Sequence, residues 1–498
     1  MRELLRAVFK TGTGSAASLV LGMIAMKIMA VVTGPGGVGL FSLLRQTQQT
    51  ALSVANLSGQ MAIVQGVASR EGKARTEYLT TVMWILSVTG GLVGLAFLAF
   101  APQIARWVTG HADPDIVVMM RWLSLTIVLG VVYSYLTGLL NGHRAIGRVA
   151  LVQVANFGTM ALLAYPFSLL MKAGHPLAFT WLLTASALVT ALLALYFALQ
   201  AGWLPWLFNA VPHSFNRASA RHFLYLAGTM LISGFIGTLV PLTVRAITAR
   251  QFGLAGVGVF EVAWTLSMAY VALILTSFST YYLPTLSQTM DRVARADLIR
   301  RVSRLSTLLM VPLVVTVIAL KPLVVRLLYS EEFVPSLEII RWMLIGDYLK
   351  VTSWVFSFTM VAYADMKTFL WTEILWGGLT LCSAVVAIQG MNLLEGVGIG
   401  FMILYLTYLA YTLHYVRSRH QLTLDRPAVM RWLGGLGLVC LVSVQTWNDT
   451  QVNWGTAWVW VVAALSFSWL GLRSSERGKL KEMLLRRFAV SIHSQYSR

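Results

Sequence analysis

Fourteen apolar stretches of bilayer length follow one another along this chain, and they limit its fold more than any other feature. Inside lipid every backbone amide must find its partner within the spanning segment or in a closed barrel, and an apolar run of about 20 residues satisfies this as a helix. The stretches lie at 14–33, 39–66, 79–101, 116–140, 149–171, 176–199, 223–248, 255–285, 305–328, 339–363, 368–389, 396–416, 431–447 and 455–472. With 57% hydrophobic and only 11% charged residues among 498, a soluble globular fold is excluded. The expected class is an all-α polytopic membrane protein.

A repeat divides these spans. GPGGVGLF from Gly34 to Phe41 returns as GLAGVGVF from Gly253 to Phe260, and Pro102, Arg106 and Arg121-Trp122 return as Pro322, Arg326 and Arg341-Trp342. Six spans separate the two glycine segments, and an even number of crossings returns the chain in the same sense. The sequence therefore predicts two parallel six-helix repeats, a first lobe at 1–200 and a second at 223–416, joined by a cytoplasmic linker at 201–222. An extra helix pair at 417–472 and a basic cytoplasmic tail at 473–498 have no counterpart in the repeat.

The net charge of +19 reports topology. Of the 38 Lys and Arg residues, 27 fall in one set of connections: around Arg2, Arg6 and Lys10, at Arg70–Arg75, Arg144–Arg148, Arg217–Arg221, Arg292–Arg304 and Lys367, from Arg417 to Arg431, and after Leu472. Cytoplasmic loops hold such an excess, so both termini are expected in the cytoplasm, where the basic loops meet anionic membrane lipids. No nucleic-acid partner is expected, because the charges are divided among many short loops. The basic head at Arg2–Lys10 lacks the apolar run of a cleaved signal peptide, and Met1 is expected to begin the mature chain.

A few charged residues fall inside the spans, where a bare charge costs about 2.5–3.5 kcal/mol and so faces water or a partner. With the first turn placed at Gly36, Lys27 and Arg45 stand at equal depth on neighbouring helices; with the second near Ala255, Arg245 stands at similar depth and Trp264 replaces Arg45. Lys350 lies one turn from Asp347 in the tenth span. Lys27, Arg45, Arg245 and Lys350 are the candidates for facing a wet lumen, while Asp347, Glu261 and Glu373 make a proton- or cation-responsive interior possible. Structural alternatives stand beside these: Lys27, Arg45 and Arg245 snorkelling to an interface, Asp347 neutralising Lys350, Glu373 as a structural residue near a cytoplasmic loop, and Glu261 at the interface after the repeat turn.

Other signals carry no chemistry. Gly34, Gly36 and Gly39 match GxGxxG but join two membrane helices, without the strand of a dinucleotide fold. The histidines lack ligand spacing, and Cys382 and Cys440 sit apart in apolar surroundings, so neither a metal nor a disulfide is expected. Asn56-Leu57-Ser58 falls within the second span, where a glycosylation signal has no meaning. Without a Walker motif there is no nucleotide cofactor, and no catalytic residues or enzyme activity are expected.

The residues of the first hairpin, Lys27 with TGPGGVGLF and Arg45-Gln46, together with LLNGHRAIGR from Leu139 and KPLVVRLLYSEEF from Lys321, resemble the polysaccharide flippases of the multidrug/oligosaccharidyl-lipid/polysaccharide exporter superfamily. The likeness is strongest to the Wzx-type O-antigen and enterobacterial common antigen flippases and covers roughly 1–416. It implies a V-shaped pair of lobes in the bacterial inner membrane. By alternating access these carry an undecaprenyl-pyrophosphate-linked oligosaccharide of lipopolysaccharide or a related surface polysaccharide from the cytoplasmic to the periplasmic leaflet. The implied lumen is cationic and maps onto Lys27, Arg45, Arg245 and Lys350 as pyrophosphate ligands, with Asp347, Glu261 and Glu373 as candidates for coupling to a proton or sodium ion; polysaccharide polymerase and chain-length proteins are the implied protein partners. The extra helix pair departs from the common twelve-span pattern and leaves a lipid II-type flippase as an alternative. A drug or cation antiporter and a membrane polysaccharide polymerase or ligase are the others; the mainly basic interior and short outer loops fit these less well.

Overall fold

The computed structural model describes residues 2–204, 215–421, 425–474 and 476–478, and among them every regular element is helical. The middle of the linker, 205–214, and the tail from 479 onward lie outside the described residues. In chain order the helices are α1 (Arg2–Ala55), α2 (Gln60–Ala68), α3 (Gly72–Ala99), α4 (Ala101–Thr109), α5 (Pro114–Gly142), α6 (Ile146–Lys172), α7 (Ala178–Gln200), α8 (Arg217–Ser277), α9 (Leu283–Gln288), α10 (Arg292–Leu328), α11 (Ser336–Ala362), α12 (Met366–Val385), α13 (Gly396–His420), α14 (Arg426–Gln445) and α15 (Trp454–Gly471). Among the described residues eleven helices are long and apolar enough to cross a membrane, and this is a multi-pass membrane protein. Two of the eleven, Ala16–Ala55 and Met230–Ala272, each hold a chain reversal, and α11 with its buried charges stands outside the eleven. Counting the reversed helices as pairs and adding α11 returns the fourteen expected crossings.

The reversals fall at Gly34 (φ 62, ψ −166) and Gly253 (φ 68, ψ −176), two residues before the positions expected from the sequence. This backbone region is open only to glycine, which decides where the chain turns. The shift separates the two cations of the first hairpin. At 1.5 Å per residue Lys27 lies about 10 Å from the turn and Arg45 about 16 Å, so the equal depth expected from Gly36 does not hold.

Further copies of the repeat are written in the backbone. At the end of α5 the Arg144 amide donates to Asn141 O (2.9 Å) and Ala145 to Leu140 O (2.9 Å); at the end of α11 Ala364 donates to Val361 O (3.1 Å) and Asp365 to Met360 O (2.8 Å). Arg144 (φ 58) and Ala364 (φ 54) are both left-handed, as this closure of a helix requires. The second span is not continuous. It breaks after Ala55, where Leu57 (φ 52) and Ser58 (φ 48) are left-handed, and the chain re-enters a helix at Gln60. Side chains meet the polar groups freed there: Thr89 Oγ1 donates to Ala55 O (2.7 Å), and Asn56 Nδ2 to Ser134 Oγ (2.8 Å).

Two compact units are formed. The first contains Met1–Ala263, Val325–Ser336 and Leu370–Val397; the second contains Trp264–Val324, Leu337–Phe369 and Gly398–Arg498. Within the first, Ile63, Val67, Tyr78, Leu86, Ile127, Leu139 and Leu140 form the centre of a buried apolar cluster that joins α2, α3 and α5. Within the second, α14 and α15 are tied to the preceding helices by polar bonds. Tyr348 Oη donates to Trp432 O (2.9 Å), Trp432 Nε1 to Thr352 Oγ1 (3.1 Å), and Ser468 Oγ to Leu308 O (2.7 Å).

Candidate functional site

The two glycine segments of the repeat lie against each other in the first unit. A Cβ placed on Gly39 would stand 1.9 Å from Leu254 O, and one on Gly258 would stand 2.0 Å from Pro35 O. Gly39 corresponds to Gly258 in the repeat and Pro35 to Leu254, so these are two copies of one backbone-to-backbone contact.

Two cations fasten this end. Lys27 Nζ donates to Arg326 O (2.9 Å) and to Tyr329 O, at the C-terminal end of α10. Arg250 Nη2 donates to Trp107 O, in the last turn of α4, the short helix that corresponds in the repeat to the end of α10. Carbonyls at a helix C-terminus have no intrahelical partner and carry partial negative charge, which makes them good acceptors for a cation. The sequence places Lys27 among phosphate ligands, whereas here its ammonium is held by these carbonyls. No pattern in the sequence marks Arg250 for this role, since carbonyl acceptors leave no trace there.

Deeper in the same unit lies a charged cluster. Arg245 is 2% exposed; its Nε and Nη2 both donate to Glu261 Oε2, at 3.0 and 2.6 Å, and its Nη1 to Pro241 O at 3.1 Å. Its guanidinium carbon lies 5.5 Å from the centre of the Phe260 ring. Arg45 is half-buried within electrostatic reach of Glu261, Arg245 and Tyr329, yet it makes no hydrogen bond to a described residue. Its neighbours are fixed by bonds to α8: Gln46 Nε2 to Thr238 O (2.9 Å), Thr50 Oγ1 to Thr238 O (3.0 Å) and Ser53 Oγ with Thr238 Oγ1 (3.1 Å). Glu373 stands elsewhere in this unit and accepts from Ser233 Oγ (3.3 Å).

The remaining candidates belong to the second unit. Asp347 is fully buried and accepts from Ser267 Oγ (2.8 Å) and from Tyr270 Oη. Lys350, one turn on, does not close a salt bridge with it; its ammonium contacts Met268 Sδ (3.2 Å) and lies 5.6 and 5.4 Å from the centres of the Phe401 and Tyr405 rings. Asp347 acts on this ammonium across the helix turn, and the aromatic faces add to its stabilisation.

Lys321, which enters the sequence reading only at the head of the KPLVVRLLYSEEF stretch, and Arg341, which enters it only as a repeat marker, are structural. Lys321 Nζ is wholly buried and donates to Thr446 O (2.8 Å) at the C-terminus of α14. Arg341 stacks 3.8 Å from the Trp447 ring centre and donates to Trp447 O (3.2 Å). Near α14 an apolar cavity of about 260 Å³ is lined by residues that include Phe356, Leu409, Leu413, Val429 and Trp432.

Known proteins resemble this chain in sequence and in fold. Residues 47–338, more than half of the chain, match the family described as "Polysaccharide biosynthesis protein". The lipid III flippases of Escherichia coli (strain K12) and Shigella flexneri are each 26% identical over 380 residues, covering 75% of this chain and 88% of theirs. Among solved structures, the lipid II flippase MurJ in an inward closed conformation superposes with a TM-score of 0.70 at 13% identity, over 93% of this chain and 97% of that one. An inward-facing multidrug resistance MATE family transporter of the MOP superfamily gives 0.63 at 16% identity, over 81% and 94%. At such identities the structural likeness speaks for the fold.

Proposed function

As the chain belongs to the polysaccharide biosynthesis protein family, we propose that it is a flippase that moves an undecaprenyl-pyrophosphate-linked oligosaccharide from the cytoplasmic to the periplasmic leaflet of a bacterial inner membrane. Its two lobes, 1–200 and 223–416, alternate access to the two sides, and both termini face the cytoplasm. The lipid III flippases it resembles act in this class.

The observation that supports the reading is Arg45, a cation within a membrane helix that makes no hydrogen bond to a described residue, within electrostatic reach of the Arg245–Glu261 pair. A pyrophosphate and its sugars cannot cross bare hydrocarbon at a useful rate, so the carrier must provide charge-assisted bonds inside the membrane. Arg45 has free donors for phosphate oxygens, and Arg245 supplies a second guanidinium. The bonds of Lys27 to carbonyls favour a fastening role in the present state, and Lys350, among aromatic rings, suits sugar or phosphate contact in the second unit. For ion coupling, Asp347 with two hydroxyl partners is the better candidate; Glu261 is committed to an arginine and Glu373 to one serine.

A lipid II-type flippase is the second reading, favoured by the extra helix pair and by the apolar cavity beside α14, which suits a polyprenyl chain. Proteoliposomes loaded with a defined lipid-linked oligosaccharide distinguish the two by the sugar accepted, and a proton or sodium gradient tests coupling. Arg45→Ala is expected to abolish flipping and Arg45→Lys to retain part of it. Full transport by a normally inserted Arg45→Ala protein overturns the proposal.

A further inference from the structure

The cluster around Arg245 holds a carboxylate where an anion carrier wants none. Arg45 and Arg245 bring two positive charges, and Glu261 removes one of them. A pyrophosphate diester is a dianion, which two guanidiniums match and a cluster of single net charge does not. The pair also belongs to one copy of the repeat alone: Arg245 and Glu261 occupy the places where the first copy has Met26 and Ser42. Inherited packing therefore does not account for it. Glu261 binds Arg245 with one oxygen shared between Nε and Nη2, the side of a guanidinium that also grips phosphate.

On the reading that this chain carries a pyrophosphate-linked lipid, we propose that Glu261 is the resident counter-ion of a phosphate clamp formed by Arg45 and Arg245. In the empty carrier the carboxylate occupies the place of the phosphate on Arg245. The arriving pyrophosphate binds the free Arg45 first and then displaces Glu261 from Arg245. When the lipid leaves, Glu261 returns, so Arg245 never stands buried without a partner and the product is not held. Glu261 thus trades affinity for release. The exchange also selects for the diphosphate, since a monophosphate that reaches only Arg45 leaves the Arg245–Glu261 pair closed.

The full-length protein in nanodiscs, with polyprenyl pyrophosphate and polyprenyl monophosphate as probes, tests this. Glu261→Gln is expected to bind the pyrophosphate lipid about tenfold more tightly, within the usual range of coupling between sites. Monophosphate affinity is expected to change less, and flipping in proteoliposomes to fall because release is slow. In an Arg245→Met background the same substitution is expected to change pyrophosphate affinity little. Glu261→Asp, which keeps the carboxylate but shortens its reach, is expected to lie between wild type and Gln, and it decides the matter if the Gln variant does not fold.

Unchanged or weaker pyrophosphate binding by the folded Gln variant, or by the Asp variant in its place, overturns the proposal, as does an equal gain for both probes. The flippase reading fails separately: a wild-type protein that binds and moves no pyrophosphate lipid removes both. A wild type that binds it through Arg45 but is indifferent to residue 261 removes only the counter-ion exchange.

Discussion

Gly258 lies so close to Pro35 that a side chain has no room between them: a Cβ would stand 2.0 Å from the proline's carbonyl oxygen. Gly39 holds the same relation to Leu254, at 1.9 Å. The obstacle in each case is backbone, which cannot turn aside as a side-chain tip can. Gly258→Ala and Gly39→Ala are each expected to force the two glycine segments apart and to lower flipping at least about tenfold, a cost of about 1.4 kcal/mol or more in the population of this packing. A cysteine at Val38, fully buried here, in a background lacking Cys382 and Cys440, reports the separation as faster labelling. Normal transport with a readily labelled Val38→Cys would show that this packing is not needed, and an unlabelled one would show that the backbone contact accommodates a methyl group.

Lys27 and Arg250 fasten the same region by the same means, a cation on the last carbonyls of a helix. A hydrogen bond to a charged group contributes about 1.5–3 kcal/mol. Lys27→Met and Arg250→Met are each expected to raise labelling at Val38→Cys by roughly tenfold, and the double variant to exceed either one. Equal labelling in wild type and double variant contradicts the fastening role.

The architecture was legible from residues because its causes are local. An apolar run of bilayer length can only be a helix in lipid, and Gly34 and Gly253 occur where the chain must take a positive φ. The equivalence of Arg144 and Ala364 follows from the same offset, although Ala364 carries no turn signature of its own. The candidate site was legible in part. Sequence patterning finds charges inside spans, but whether a charge is spoken for depends on partners distant in the chain. Lys27 is bound by carbonyls about 300 residues away, and no residue type announces a carbonyl. Arg245 and Glu261 are 16 positions apart across a chain reversal, and the reversal had to be placed before their pairing became visible. Arg45 stands out for the converse reason: its neighbours Gln46, Thr50 and Ser53 are bonded, while it has no hydrogen bond among the described residues.

Lys321 anchors the extra helix pair through Thr446 O (2.8 Å). Replacing it with Met keeps most of the stem's packing but leaves that carbonyl unmet, at a cost of about 1–3 kcal/mol. Lys321→Met is expected to lower the unfolding temperature in nanodiscs by several degrees and to expose the connection between α14 and α15 to protease before the rest of the chain. Arg341→Met acts on the same connection, so the two effects are expected to be less than additive. An unchanged unfolding temperature would place the anchorage elsewhere, in contacts such as Ser468 with Leu308.

Asp365, in the turn between α11 and α12, gives the fold a dependence on pH. Burial pushes its carboxyl upward, but the amide and hydroxyl of Thr368 (3.2 and 2.9 Å), the Tyr415 hydroxyl (2.9 Å) and Arg419 outweigh this and hold it below the ordinary carboxylate range. A depressed value in the fold means that the unfolded chain binds the proton more readily, so stability rises with pH across this window. The contribution is complete above the unfolded value of about 3.9 and is lost as pH falls through the folded one. Asp365→Asn removes the charge at every pH. The variant is expected to melt below wild type at neutral pH, with the gap closing as pH drops beneath about 4. Tyr415→Phe, which takes away one donor, is expected to narrow the gap in the same direction. A constant difference between wild type and Asp365→Asn across this range would mean that the carboxylate's charge contributes nothing to the turn.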